Sequence, residues 1–169
     1  HKIFEVLEKE TKIKPFYDID KGFKTEKEFK DQYENLFNGF KDFITEKLPK
    51  GELAITESHG WKKSNHTEDG VTTEVKNYAM SYHVVINGYE TTIPEMRQFN
   101  EINDVYSTFD FVDTTVYRTY GLMKCLNATK PWEKRYKRIS INPNPLSHLL
   151  QSNSETNTGF IKLDLPLIF

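Results

Sequence analysis

The sequence predicts an α+β fold, in which strands and helices are mixed at irregular spacing instead of alternating in regular units. One long segment, from Phe29 to Leu48, repeats apolar residues at spacings of three and four, the period of an amphipathic helix. Shorter segments, of which residues 79–86 are the clearest, are rich in β-branched residues and alternate as strands do. A length of 169 residues suits one domain with its own core, so we expect a single domain over residues 1–169.

The long helix is the strongest local prediction in the first half of the chain. Residues 3–7 carry an apolar pattern that favours a short helix, and the run PFYDID (15–20) then predicts a strand. Thr25 and Glu28 form a capping box that starts the long helix, and Pro49 ends it. Its aromatic stripe indicates core packing, not a ligand site.

The rest of the chain is predicted from shorter patterns. Residues 79–86 predict a strand, and Thr92 with Pro94 marks the start of a helix that covers the sheet. The other predicted elements are a strand over 52–58 that can pair with 79–86, a polar loop over 60–72, strands or extended pieces over 109–117, 122–126 and 136–141, a turn over 142–145, a short helix over 145–151 and a polar loop over 152–159.

Composition limits where the protein acts. No stretch approaches the roughly 20 apolar residues of a membrane span, and the N-terminal residues lack the apolar core of a signal peptide. Cys125 is the single cysteine, so the chain itself offers no disulfide and no cysteine-based zinc site. These features favour an intracellular, reducing compartment and no membrane partner. The start at His1 and the apolar end LDLPLIF favour a piece of a longer protein.

One segment is strongly basic although the formal net charge of the chain is only -2. The stretch from Arg118 to Arg138 holds seven lysines or arginines against one acid, Glu133. Such a stretch suits a polyanionic partner, and the neighbouring rings of Trp132 and Tyr136 could stack on bases. The alternative is a solvated charged face. The basic residues are Arg118, Lys124, Lys130, Lys134, Arg135, Lys137 and Arg138.

Three aspartates are candidates for metal-dependent chemistry. Asp18 and Asp20 lie two apart on a predicted strand, so their carboxylates leave the same face and repel each other unless a cation lies between them. Mg²⁺ prefers a few carboxylates together with substrate phosphates, so a third acid such as Asp113 would complete a phosphoryl-transfer site. The alternative for the pair is a solvent-facing strand edge.

Ser81 and His83 are a second pair on one strand face. They also lie two apart, while Tyr82 and Val84 point to the opposite face. A histidine in this position can donate a hydrogen bond to a phosphate oxygen, although a packed core histidine is the alternative.

In chain order, the D-x-D pair (Asp18, Asp20), the S-x-H pair (Ser81, His83) and the run V-D-x-x-V-Y around Asp113 resemble the archaeo-eukaryotic primase superfamily. The likeness is greatest to the PrimPol and poxvirus-type primase-helicase branch of large DNA viruses, where two spaced basic residues follow the third acid. Lys124 and Lys130 fall in those positions, so the resemblance spans Tyr17 to about Lys130. Its pattern is broken at Ala79, where relatives often have lysine; Lys76, Lys124 or Lys130 could compensate.

The resemblance implies both a fold and an activity. The fold would be a primase catalytic core, an α/β module and an RRM-like module with a cleft between them. Asp18, Asp20 and Asp113 would be catalytic and hold two Mg²⁺ or Mn²⁺ ions. Ser81 and His83, with Lys124 and Lys130, would bind the NTP or dNTP.

The resemblance also implies partners. They would be a single-stranded DNA template and primer, contacted by Arg118, Lys134, Arg135, Lys137 and Arg138, and a helicase domain in the same longer chain. If the source is a virus, as a composition rich in the Lys, Asn, Ile and Phe that AT-rich genomes encode favours, the enzyme would act at the host-cell replication site, in the cytoplasm or nucleus.

Two alternatives remain from the residues themselves. An HUH-type replication endonuclease also uses a strand histidine, but it needs a second histidine where this chain has Ser81. A non-catalytic RRM-like nucleic-acid-binding module would explain the basic segment and leave the three aspartates without a role.

Overall fold

In a computed structural model, residues 4–8, 11–117, 120–124, 138–150 and 161–162 are described. Within these ranges the chain forms strands and helices in an α+β arrangement, as predicted. The elements are β1 (Phe4–Glu8), β2 (Phe16–Phe23), α1 (Glu26–Lys47), β3 (Glu52–Glu57), β4 (Gly60–Glu68), β5 (Val71–Asn87), β6 (Tyr89–Glu90), α2 (Ile93–Ile102), α3 (Val105–Thr108), β7 (Tyr120–Lys124), β8 (Arg138–Ile141), a 3-10 helix (Pro145–His148) and β9 (Ile161–Lys162).

The long strand β5 organises the main sheet. In the described part of the chain this sheet has five antiparallel strands in the order β2-β5-β3-β8, and β4 pairs with β5 on the same side as β3. The predicted pairing of residues 52–58 with 79–86 is confirmed, because Glu52 lies opposite Asn87 and Glu57 opposite Tyr82.

Helix α1 covers one face of this sheet. The Thr25 hydroxyl accepts a hydrogen bond from the backbone N–H of Glu28 at 3.1 Å, so the predicted cap is confirmed. The ring of Phe37 stacks on Tyr82 of β5 at 3.7 Å, and that of Phe40 meets Tyr17 of β2 edge to face at 5.1 Å. The aromatic stripe is therefore part of the core, as expected from its period.

The predicted polar loop over 60–72 is wrong. These residues form β4 and the start of β5, joined by a tight turn in which Asp69 and Gly70 both have positive φ, 52° and 76°. A two-residue Asp-Gly turn of this kind matches the twist of a hairpin. The strands were missed because their residues are mostly polar and exposed on both faces, so no apolar period marks them.

Other sequence predictions meet mixed outcomes. The helix predicted over 3–7 is wrong, because this segment is β1, paired with the distant β7. Residues 109–117 form turns and extended chain with one isolated bridge, between Val112 and Ile19, and no regular strand. The helix after Thr92 is confirmed, although the Thr92 hydroxyl bonds to the Glu95 carboxylate at 2.9 Å and does not cap the backbone. The loop predicted over 152–159 lies outside the described residues.

The second face of the main sheet is covered at one end. The 3-10 helix packs against β3 and β5, and the Asn87 side-chain amide donates a hydrogen bond to the carbonyl of Ser147 at 3.1 Å. Asn87 and His83 are four residues apart on one strand, so they share this face.

Among the helices that the structure describes, none has the length and apolar content needed to cross a membrane.

Candidate active site

The pairing of β2 with β5 brings two of the predicted motifs together. Asp18 lies directly opposite His83, and Asp20 directly opposite Ser81. Residues opposite each other in an antiparallel pair point to the same face, so all four side chains share the face that α1 does not cover. The sequence predicted each pair on one strand face, and the structure joins the two pairs into one polar group.

Asp113 lies next to this group. Its backbone N–H donates a hydrogen bond to the carbonyl of Asp18 at 2.8 Å, and the N–H of Asp20 donates to the carbonyl of Phe111 at 2.9 Å. Residues 111–113 therefore run along the edge of β2 that faces away from β5. The structure thus brings the third acid of the predicted set beside the first.

The carboxylate of Asp113 has a defined orientation. Its Oδ1 accepts hydrogen bonds from the backbone N–H of Thr115 at 2.8 Å and from the Thr115 hydroxyl at 2.7 Å. A short aspartate-centred turn of this kind is a common local arrangement. Both hydrogen bonds go to Oδ1, and Thr115 is a supporting residue that the sequence analysis did not identify.

Burial changes along the polar group. His83 is only 5% exposed, and Thr56, which lies opposite it on β3, is 1% exposed. Asp18 is half-buried, whereas Asp20 is exposed. The group therefore leads from the interior of the sheet to solvent, with the histidine at the inner end and a carboxylate at the outer end.

Ser81 is fixed by a residue that sequence reasoning missed. Its backbone N–H donates to Nδ1 of His59 at 2.9 Å, where β3 passes into β4. The His59 ring meets Phe29 and Tyr82 edge to face at 4.9 and 4.6 Å. Nothing in the local sequence identifies His59 as a support for Ser81, because the contact depends on the pairing of distant strands.

Lys62 is the second residue that the sequence analysis missed. Its ammonium group lies 3.1 Å from Oδ2 of Asp20, reaching across from β4. A pocket of about 180 Å³ opens beside this ion pair. Its lining residues are Asp20, Gly22, Lys62, Ser64, Asn77 and Ala79.

The three aspartates, Asp18, Asp20 and Asp113, are chemically suitable ligands for a hard divalent cation. Carboxylates are the ligands that Mg²⁺ and Mn²⁺ take together with phosphate oxygens. Within the described ranges, however, no three His, Cys, Asp or Glu side chains already stand at metal-binding spacing. Two of the carboxylates are engaged elsewhere, Asp20 by Lys62 and Asp113 by Thr115.

The predicted basic residues are mostly beyond the described part of the chain. Arg118, Lys130, Lys134, Arg135 and Lys137 lie outside the described residues, and the backbone of Lys124 belongs to β7. Arg138 is the exception. It begins β8, is exposed and lies opposite Glu57 of β3.

A scan against protein-family models finds no match for this chain, and a search of curated proteins finds none either. The primase interpretation therefore depends on the motifs and on the geometry that they adopt.

Proposed function

We propose that this chain is the catalytic domain of a DNA-templated primase-polymerase, a nucleotidyltransferase of the archaeo-eukaryotic primase class that makes or extends primers in DNA replication. The supporting observation is the position of three motifs that are far apart in sequence. The register of β2 and β5 puts Asp18 and Asp20 opposite His83 and Ser81, and Asp113 is hydrogen-bonded to the backbone of Asp18. A buried histidine beside carboxylates on one face of a sheet is an arrangement that occurs often at functional sites.

The residues of the polar group would have different roles in the proposed reaction. Asp18, Asp20 and Asp113 would hold Mg²⁺ or Mn²⁺ through carboxylate oxygens. Two such ions, when bound, lower the pKa of the attacking primer hydroxyl and offset the charge of the triphosphate. His83, at the inner end of the same face, donates to a phosphate oxygen, and a bond of this kind is stronger when one partner is charged.

The same proposal gives a role to the main sheet and to the basic segment. The five-stranded sheet with α1 would be part of a primase core built from an α/β module and an RRM-like module. The template and primer, as single-stranded DNA, would contact Arg118 and the basic residues from Lys134 to Arg138. A helicase domain elsewhere in a longer chain would complete the replication function.

The direct test is nucleotide incorporation on a single-stranded template, with and without primer, using NTPs and dNTPs separately. We expect incorporation with Mg²⁺ or Mn²⁺ and none after EDTA. Template binding without incorporation would instead favour the RRM-like binding module. Metal-dependent cleavage with a tyrosine-linked product would favour the HUH endonuclease.

Variants of the acids sharpen this test. Asp113→Ala, or Asp18→Ala together with Asp20→Ala, should reduce incorporation to background, because the metal ligands are lost. Thermal stability without metal should hold, because relief of repulsion between neighbouring carboxylates offsets the loss of the Thr115 hydrogen bonds to Asp113 or of the exposed Lys62 ion pair with Asp20. The matched control is Asp110→Ala, since Asp110 is also an acid of this segment but is 80% exposed and forms a weak ion pair with Lys21, at 3.8 Å. Wild-type incorporation by Asp113→Ala would contradict the metal assignment.

A further inference from the structure

The ion pair between Lys62 and Asp20 has an uncommon position. The two residues belong to β4 and β2, which both pair with β5, so the Lys62 side chain crosses the face of β5 to reach the carboxylate at 3.1 Å. The side chains are 38% and 41% exposed. An ion pair this accessible is weakly held, so either partner can exchange it for another.

The pocket beside the ion pair has the composition of an anion site. Gly22 and Ala79 lie opposite each other and form its floor without large side chains. Lys62, Ser64 and Asn77 line it with an ammonium, a hydroxyl and an amide, all of which can donate hydrogen bonds. The only acid in the lining is Asp20, whose charge Lys62 offsets.

Gly22 keeps this space open. A Cβ atom at Gly22 would stand 3.2 Å from Cβ of Asn77 and 3.4 Å from its side-chain amide carbon and nitrogen. Any larger residue would therefore fill the pocket or displace Asn77, so the pocket depends on the paired small residues on β2 and β5.

We propose that Lys62 has two partners in turn. In the ion-free chain it neutralises Asp20. When Asp20 becomes a ligand of a divalent cation, Lys62 turns into the pocket and binds a phosphate oxygen of the nucleotide. This inference rests on the proposed function, because it takes Asp20 as a metal ligand. Lysine suits the role, since it is a compact point charge on a flexible stem and a common phosphate ligand.

The proposal makes two opposite predictions for one residue. Lys62 competes with a cation for Asp20, so removing its charge should strengthen the binding of the metal alone. Lys62 also attracts phosphate, so the same change should weaken nucleotide binding. A residue with a merely structural role would not move the two affinities in opposite directions.

The experiment compares Lys62→Met with Lys63→Met. Lys63 is the next residue on β4, points to the opposite face and forms a similar exposed ion pair with Glu74 at 3.4 Å. Mn²⁺ alone is titrated and followed by electron paramagnetic resonance. Binding of a non-hydrolysable α,β-imido deoxynucleoside triphosphate is then measured by calorimetry at saturating Mn²⁺, and circular dichroism checks that each variant is folded.

Lys62→Met should bind Mn²⁺ about two- to five-fold tighter, the range expected for an exposed ion pair. It should bind the nucleotide about ten-fold more weakly, as for the loss of one charge-assisted hydrogen bond. Lys63→Met should change neither affinity. Lys62→Arg should retain most of the nucleotide affinity.

Two results would overturn the inference, and they have different consequences for the proposed function. If wild-type protein binds Mn²⁺ through its aspartates but Lys62→Met leaves both affinities unchanged, the role of Lys62 is wrong and the proposed function stands. If neither wild-type protein nor Lys62→Met binds Mn²⁺, the metal site fails, and the proposed function fails with it.

Discussion

The two faces of the main sheet use the same strands for different purposes. On the face under α1, β2 and β5 present Tyr17 and Tyr82, whose rings meet Phe40 and Phe37 of the helix. On the other face the same strands carry the polar pairs, with Asp18 opposite His83 and Asp20 opposite Ser81. Side chains alternate along a strand, so each residue of the polar group has neighbours in sequence that belong to the core.

This comparison teaches how a sheet can hold a repulsive pair of acids in place. The carboxylates of Asp18 and Asp20 gain little stability from each other. Their backbone is nevertheless fixed, because the adjacent residues Tyr17 and Ile19 are fully buried against the helix side of the sheet. Stability and chemistry should therefore respond to different substitutions in the same strands.

The largest expected effect on stability is on the helix face. Phe37→Ala removes a ring that is 5% exposed and stacks on Tyr82, so the free energy of unfolding should fall by about 3–5 kcal/mol in urea denaturation. The fraction that remains folded should keep its metal affinity. Phe43→Ala, at a partly buried position of the same helix, is the control and should cost less. Equal losses for the two variants would argue against a specific role for the Phe37 and Tyr82 stack.

An intermediate effect is expected at the inner end of the polar group. His83→Ala should raise the nucleotide KM and lower kcat, for a loss of roughly ten- to a hundred-fold in kcat/KM, which corresponds to one charge-assisted hydrogen bond. Mn²⁺ binding without nucleotide should survive. His66→Ala is the control, because His66 lies on β4 with its side chain 63% exposed. Unfolding of His83→Ala, or loss of its metal binding with normal nucleotide kinetics, would mean that His83 is a structural residue or a ligand.

The smallest expected effect is on how the free energy of unfolding depends on pH, through a tyrosine on the helix face. Burial, with a smaller contribution from Tyr106, raises the pKa of Tyr17 well above its ordinary value of 10, and the Tyr17 hydroxyl donates to Asn100 at 2.7 Å. Above pH 10 the unfolded chain releases this proton and the folded chain keeps it. The stabilising contribution of Tyr17 is therefore complete below pH 10. Above pH 10 the free energy of unfolding falls as pH rises, by about 1.4 kcal/mol per pH unit for each such tyrosine.

Tyr17→Phe tests this prediction. The variant should lose less stability than the wild type between pH 10 and pH 11, as measured by urea denaturation at each pH. An unchanged slope would show that Tyr17 does not resist ionisation in the folded chain. Burial also raises the pKa of Tyr117, so Tyr117→Phe should reduce the slope in the same way.

Much of the fold was predictable because its signals are local. The helix over Glu26–Lys47 has a cap, an apolar period and a stop in its own sequence. The face on which Asp18, Asp20, Ser81 and His83 lie follows from the period of two along a strand. These features need no knowledge of what lies next to the segment.

What could not be predicted depends on contacts between distant segments. Neither motif specifies that Asp18 faces His83, because a shift of one residue in register would move Asp18 to the other face. Lys62 was missed for a similar reason. Its strand is polar on both faces, and its sequence signal is the Asp-Gly turn at Asp69, which indicates the hairpin of β4 with β5 but not that β2, with Asp20, lies along the other edge of β5.

The length of β5 has a consequence for how the protein folds. Its first half pairs with β4 through a two-residue turn, so this hairpin closes a very short loop and can form early. Its second half pairs with β2 only after the chain between them, including all of α1, has been arranged, and such non-local closure is slow. The nascent chain should therefore carry a formed hairpin before Asp18 and His83 meet. The polar group that includes Asp18 and His83 would then be among the last parts to assemble, and partly folded molecules would lack it.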